Sequence, residues 1–117
     1  MILRIDPAST VPLFEQLAAS IRAEAGRGAL AAGERLPPAR EVAESLEVNL
    51  HTVLRAYQLL RDEGLVDLRR GRGAVVTAQV AHYGELSESI PRLVAAAKER
   101  GIAAHTLIAM IRQEYES

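Results

Sequence analysis

Asn49, His51, Thr52 and Arg55 fall within one short stretch, and Arg69-Arg70-Gly71-Arg72-Gly73 follows with three arginines and no acid. These residue types suit the grooves and phosphates of a nucleic acid. An asparagine amide offers a donor and an acceptor in one plane, which matches the major-groove edge of adenine. His51 can donate to, or accept from, guanine or thymine. Thr52, in the first turn of a helix, is better suited to a phosphate, helped by the helix dipole and the free N–H groups there. Leu50 and Leu54 leave two readings open: each meets a thymine methyl, or each packs on a neighbouring helix. The glycines at the arginine-rich tip let the backbone come close, so Arg69, Arg70 and Arg72 would reach a minor groove or its phosphates.

Other chemistry finds little footing. The chain has no cysteine, and His51, His82 and His105 are far apart with no metal-ligand spacing, so no metal and no cofactor are expected. Ser45, Ser87 and Ser89 stand in no nucleophile-elbow context, and no phosphate loop of Walker type is present. An enzyme is therefore not expected. A net charge of −1 argues against indiscriminate polyanion binding, and 3% aromatics leave little surface for stacking single-stranded bases. From Val48 to Gly73, however, Arg55, Arg61, Arg69, Arg70 and Arg72 outnumber Asp62, Glu63 and Asp67. With 117 residues, 49% of them hydrophobic, the chain can bury a core in one domain with a small appendage. No apolar run approaches the roughly 20 residues of a membrane span, and the first residues lack a secretory apolar region. A soluble, cytoplasmic chain without membrane contact is expected.

The elements that must position these residues follow from periodicity and punctuation. Leu13, Leu17 and Ile21 recur at four-residue steps, with Phe14 and Ala18 beside them, predicting a helix over Val11 to Ala25. Pro37-Pro38 delays a second helix until about Ala39, and Val42, Ala43 and Leu46 would face inward. After a turn of about three residues, Asn49 caps a third helix through the N–H of Thr52, with Val53, Ala56, Tyr57 and Leu60 inward. Gly64 ends it. Leu65–Leu68 and Ala74–Thr77 then read as two strands joined by the arginine-rich tip. This order predicts a mainly α chain with a small β-hairpin: a winged helix-turn-helix over residues 1–77, followed by two helices over residues 78–117. Pro91 means that the first of those two either starts near Ser89 or is kinked there.

Through most of residues 1–77 the sequence resembles the GntR family of bacterial transcription regulators. The resemblance rests on Pro12-Leu13-Phe14-Glu15-Gln16-Leu17, Gly28-Ala29-Leu30, Gly33-Glu34-Arg35-Leu36-Pro37, Arg40, Val42-Ala43 and Val48-Asn49. It continues through Thr52-Val53, Arg55-Ala56-Tyr57, Leu60, Glu63-Gly64-Leu65 and Arg70-Gly71-Arg72-Gly73. The short tail is most similar to the YtrA subfamily. Glu47 departs from the pattern, since the family usually has glycine in the turn between the two DNA-binding helices. Ala39-Arg40 also replaces the more usual pair before the arginine.

The resemblance implies a base or phosphate contact from Arg40, whose fork can take guanine O6 and N7 together. It further implies a homodimeric repressor of a near-palindromic operator, with control of transporter genes in the YtrA subfamily. Double-stranded DNA and a second copy of the chain are thus the expected partners, and no effector can be named. The stripes after Ala78 (Leu86, Ile90, Leu93 and Val94, then Leu107, Ile108 and Ile111) carry more apolar surface than such a tail can hide alone. They are the expected dimer interface. The alternative function is a winged helix kept as a protein-interaction module, which the near-neutral charge would suit.

Overall fold

Leu17, Ile21 and Ala25 are the buried stripe of the first helix, and the helix they predict is present. In the computed structural model, which describes residues 1–117, α1 spans Leu13–Gly26 and starts one residue after Pro12, which serves as its N-cap. Two more helices pack with it: α2 (Ala39–Leu46), capped by Pro38, and α3 (Leu50–Asp62). Val53, Ala56, Tyr57 and Leu60 of α3 are buried against Leu17, Ala18 and Ile21. Each fully buried leucine or isoleucine of this set contributes about 1.5–3 kcal/mol. These helices belong to the first of two compact units, Met1–Glu85; the second is Leu86–Ser117.

Four helices in the chain end in the same hydrogen-bonded device. After α1, the N–H groups of Gly28 and Ala29 reach back to the carbonyls of Ala25 and Glu24 at 3.1 and 3.0 Å. The ends of α2 and α3 repeat this, through Glu47 and Val48 and through Gly64 and Leu65. The turning residue needs a positive φ, and Gly28 and Gly64 have φ of 77° and 88°. Glu47 does the same job at φ 57°, the one residue other than glycine in that region. The short turn between α2 and α3 is therefore made with a side chain where glycine would be unstrained.

The hairpin pairs β1 (Val66–Arg69) with β2 (Gly73–Val76) in antiparallel register, Val66 opposite Val76 and Arg69 opposite Gly73. Both strands begin one residue away from the positions expected. The stretch before Pro37, to which the sequence pattern assigns no strand, is a third partner. Val76 donates to Glu34 and Leu36 to Ala74, both at 2.8 Å, around a bridge between Arg35 and Val75. Pro37 and Pro38 have no N–H, so the pairing stops there. Thr77 Oγ1 closes the base of the hairpin by donating to the Gly64 carbonyl at 2.6 Å.

A short helix, α4 (Val80–Ser87), follows, which the periodicity did not separate from the helix after it. Val80 is buried in the core and Tyr83 packs on it, so the first unit continues to Glu85, past the Thr77 boundary expected. In the second unit, α5 (Ser89–Glu99) and α6 (Ala104–Glu116) are joined through Gly101, with the fourth helix-ending device at its turn. Pro91 is the third residue of α5, within the first turn, where its missing N–H leaves no gap. Of the two readings of Pro91, a helix starting near Ser89 is the one found. No helix is long and apolar enough to cross a membrane.

Candidate nucleic-acid interface

Between the hairpin, α3 and the Arg35–Glu41 stretch lies an open groove of about 920 Å³. Leu54, Tyr57 and Gln58 of α3 form one wall, and residues 68–74 of the hairpin form the other. Four arginines line it, Arg35, Arg69, Arg70 and Arg72, against a single carboxylate, Glu41. Arg70 and Arg72 are exposed and pair with no carboxylate; Arg69 lies 3.4 Å from Asp67, with both groups half in water. An exposed pair of that length is weak. Gly71 turns the tip at φ 78°.

The groove thus gathers Arg69, Arg70, Gly71 and Arg72 of the sequence-derived set, while Arg40, Asn49, Leu50, His51, Thr52 and Arg55 lie outside its lining. Arg40 is exposed in the first turn of α2, between two lining residues, Ala39 and Glu41, and makes no ion pair with Glu44. Asn49 and His51 are exposed at the start of α3, and Thr52 is half-buried. Leu50 is half-buried against the core, whereas Leu54 is 38% exposed on the groove wall. Sequence reasoning missed Arg35. Its place in the groove depends on the pairing with Val75, and three residues between Gly33 and Pro37 carry no alternation that would announce a strand.

Local bonds fix the elements that carry these groups. Asn49 caps α3 by accepting from the N–H of His51 at 2.8 Å, not from Thr52 as expected. The Thr52 N–H instead reaches the Asn49 backbone carbonyl at 3.0 Å. Both are orphan donors of the first turn, and a cap satisfies either. The cap uses one lone pair of Asn49 Oδ1, leaving the second and the amide N–H₂ for a base edge. Tyr57 donates its hydroxyl to the Pro37 carbonyl at 2.6 Å, tying the middle of α3 to the chain entering α2. Burial raises the Tyr57 pKa, so this donor keeps its proton.

At the far end of α3, Arg22 of α1 grips Glu63 with two bonds of 2.8 Å, and Tyr83 of α4 donates to the same carboxylate at 2.8 Å. Burial alone would raise the Glu63 pKa, but the bonds from Arg22 and Tyr83 outweigh it and hold the carboxyl below its ordinary value. Burial, then the bond to Glu63, pushes Tyr83 up to about 12. In α1, Glu24 is buried and pairs with Arg27. No cluster of three His, Cys, Asp or Glu side chains comes together.

The family profile of the bacterial regulatory proteins of the gntR family matches residues 13–76, more than half of the chain. The chain belongs to the GntR family. The match runs from the first residue of α1 to the last of β2, so it encloses all three helices and the hairpin around the groove. The HTH-type transcriptional repressor YtrA of Bacillus subtilis is 34% identical over 65% of this chain. The chain spans 58% of that relative's length. A solved YtrA from Sulfolobus acidocaldarius, described as a GntR-family transcription factor, is 37% identical with a TM-score of 0.63, covering 81% of this chain and 99% of that one. A GntR family transcriptional regulator from Listeria monocytogenes is 27% identical with a TM-score of 0.65, covering 93% and 98%. These relatives of the GntR chain are named as regulators, repressors or transcription factors, not as enzymes.

Proposed function

We propose that this GntR-family chain binds double-stranded DNA in a sequence-specific way and represses transcription as a homodimer on a near-palindromic operator. The observation that carries the reading is the groove with four arginines and one carboxylate, flanked by the exposed polar start of α3. Asn49 and His51 read base edges in the major groove, Thr52 and Arg55 meet phosphates or bases beside them, and Leu54 lies against the strand between. Arg69, Arg70 and Arg72 reach the neighbouring minor groove or its phosphates, with Gly71 allowing the approach. Arg35 joins them from the hairpin's third partner. This reading head lies within residues 1–77, and the apolar residues of the stretch from Leu86 onward serve dimerisation.

The dimer follows from what the end of α4, α5 and α6 leave in water. Leu86, Ile90 and Ile108 are 61%, 57% and 53% exposed, Leu93, Val94 and Ile111 are exposed too, and α6 buries no residue. Such stripes are costly in water, and a two-fold pairing of like surfaces is the commonest remedy. Leu107 is half-buried, so it contributes less to the exposed face than its neighbours. Two linked reading heads then engage two half-sites at high effective concentration.

Selection from random-sequence duplexes, followed by gel shift on the winners, tests the reading. Enrichment of a two-fold symmetric motif is expected. Arg40→Ala should then cost about 1–3 kcal/mol and relax one base pair per half-site, while an equal loss on every sequence would make Arg40 a phosphate clamp. No enrichment over many rounds would remove sequence-specific binding.

A further inference from the structure

Arg55 stands on the outer face of α3, exposed and without a carboxylate partner, yet its guanidinium is not free. Its central carbon lies 3.9 Å from the centroid of the Phe14 ring. Phe14 is the second residue of α1, half-buried and packed against the core, so the ring is a fixed platform. The first turn of α1 thereby reaches across to the helix that carries the proposed reading residues.

We infer that Phe14 is a positioning residue for DNA binding: it holds the Arg55 guanidinium flat above its ring so that the N–H edge meets a backbone phosphate. This rests on the DNA-binding reading above and adds a role for a residue of α1. A cation held over a ring uses its face, and the five N–H donors of arginine lie in the plane, pointing past the ring's rim. The stack therefore removes rotamer freedom without consuming donors. It also ties the head of Arg55 to the first turn of α1, which favours a phosphate over a base edge. An arginine already ordered loses less entropy when it forms its charge-assisted bonds.

The test is a double-mutant cycle on a labelled random-sequence duplex and on the selected operator. Arg55→Ala should weaken binding to both by about tenfold or more and flatten the salt slope by about one unit, as loss of one phosphate contact requires. Phe14→Leu should weaken binding about two- to fivefold, the worth of an exposed cation–π contact. Phe14→Tyr should restore it, because the ring is what acts. In the Arg55→Ala background, Phe14→Leu should have no further effect. An equal loss from Phe14→Leu in both backgrounds would assign Phe14 to the fold alone and overturn the inference, as would unchanged binding in folded Phe14→Leu. An unmodified chain that binds neither duplex would overturn the DNA-binding reading itself, and this inference with it.

Discussion

Glu47→Gly should make the protein more stable. Three of the four helices that end in the same hydrogen-bonded device place glycine at the residue with positive φ, and α2 places Glu47 there at φ 57° and ψ 45°. A side chain in that conformation costs about 1–2 kcal/mol through the clash of Cβ with the following carbonyl. Glycine removes the clash but loses more backbone entropy on folding, about 0.5–1 kcal/mol. The difference leaves a gain of about 0.5–1 kcal/mol, or a rise of about 2–5 °C in Tm for a chain of this size. Charge is the competing explanation, since Glu47 sits at the negative end of the α2 dipole. Glu47→Ala separates the two, because it removes the charge and keeps the Cβ. Thermal and urea melts of both variants decide it: glycine should stabilise and alanine should do little. Equal gains from both would refute the backbone argument, and a loss with glycine would mean the carboxylate makes a contact that stabilises the turn.

Replacing Arg70 and Arg72 with Ala should weaken binding to specific and random duplex alike and flatten the log–log salt dependence by about one unit per lost phosphate contact. An unchanged slope in a salt titration would place the hairpin away from the DNA. Ile108→Asp with Ile111→Asp should convert the expected dimer to a folded monomer by analytical ultracentrifugation, since both are exposed in the single chain; a dimer that survives would move the interface elsewhere. Glu63 has a folded pKa below its ordinary 4.5, so its stabilising effect is complete above that value and is lost as pH falls through the lower folded value. Glu63→Gln, which has no charge to lose, should therefore show a shallower loss of stability in acid, and parallel acid curves for the two proteins would refute it.

Most of the helical scaffold is legible because its signals are local. Four-residue steps mark α1, Pro38 opens α2, and Gly64 closes α3 by itself. The larger misses depend on partners distant in sequence. The strand-like Glu34–Leu36 stretch exists because Val75 and Ala74 are there to pair with it, and nothing in three residues between Gly33 and Pro37 foretells that. The extension of the first unit to Glu85 depends on Val80 finding the core and Tyr83 finding Glu63 across α1 and α3. The candidate site divides in the same way. Its arginine-rich tip is plain from composition, while Arg35 in the groove and Phe14 beneath Arg55 become visible only when the chain is folded.

The same long-range pairing explains how a chain with a net charge of −1 can present a site for a polyanion. Some arginines are neutralised within the protein: Arg22 by Glu63, Arg27 by Glu24 and Arg61 by Asp62. Others keep their donors free, Arg35, Arg70 and Arg72 in the groove and Arg40 beside it. At physiological salt, charges act over a screening length of about 8 Å, so a phosphate in the groove responds to the arginines lining it and to Glu41, not to the whole-chain sum. Net charge averages over the two populations and hides the difference. What decides whether a near-neutral chain can hold DNA is which arginines already have a carboxylate, and here three of the four that line the groove, Arg35, Arg70 and Arg72, do not.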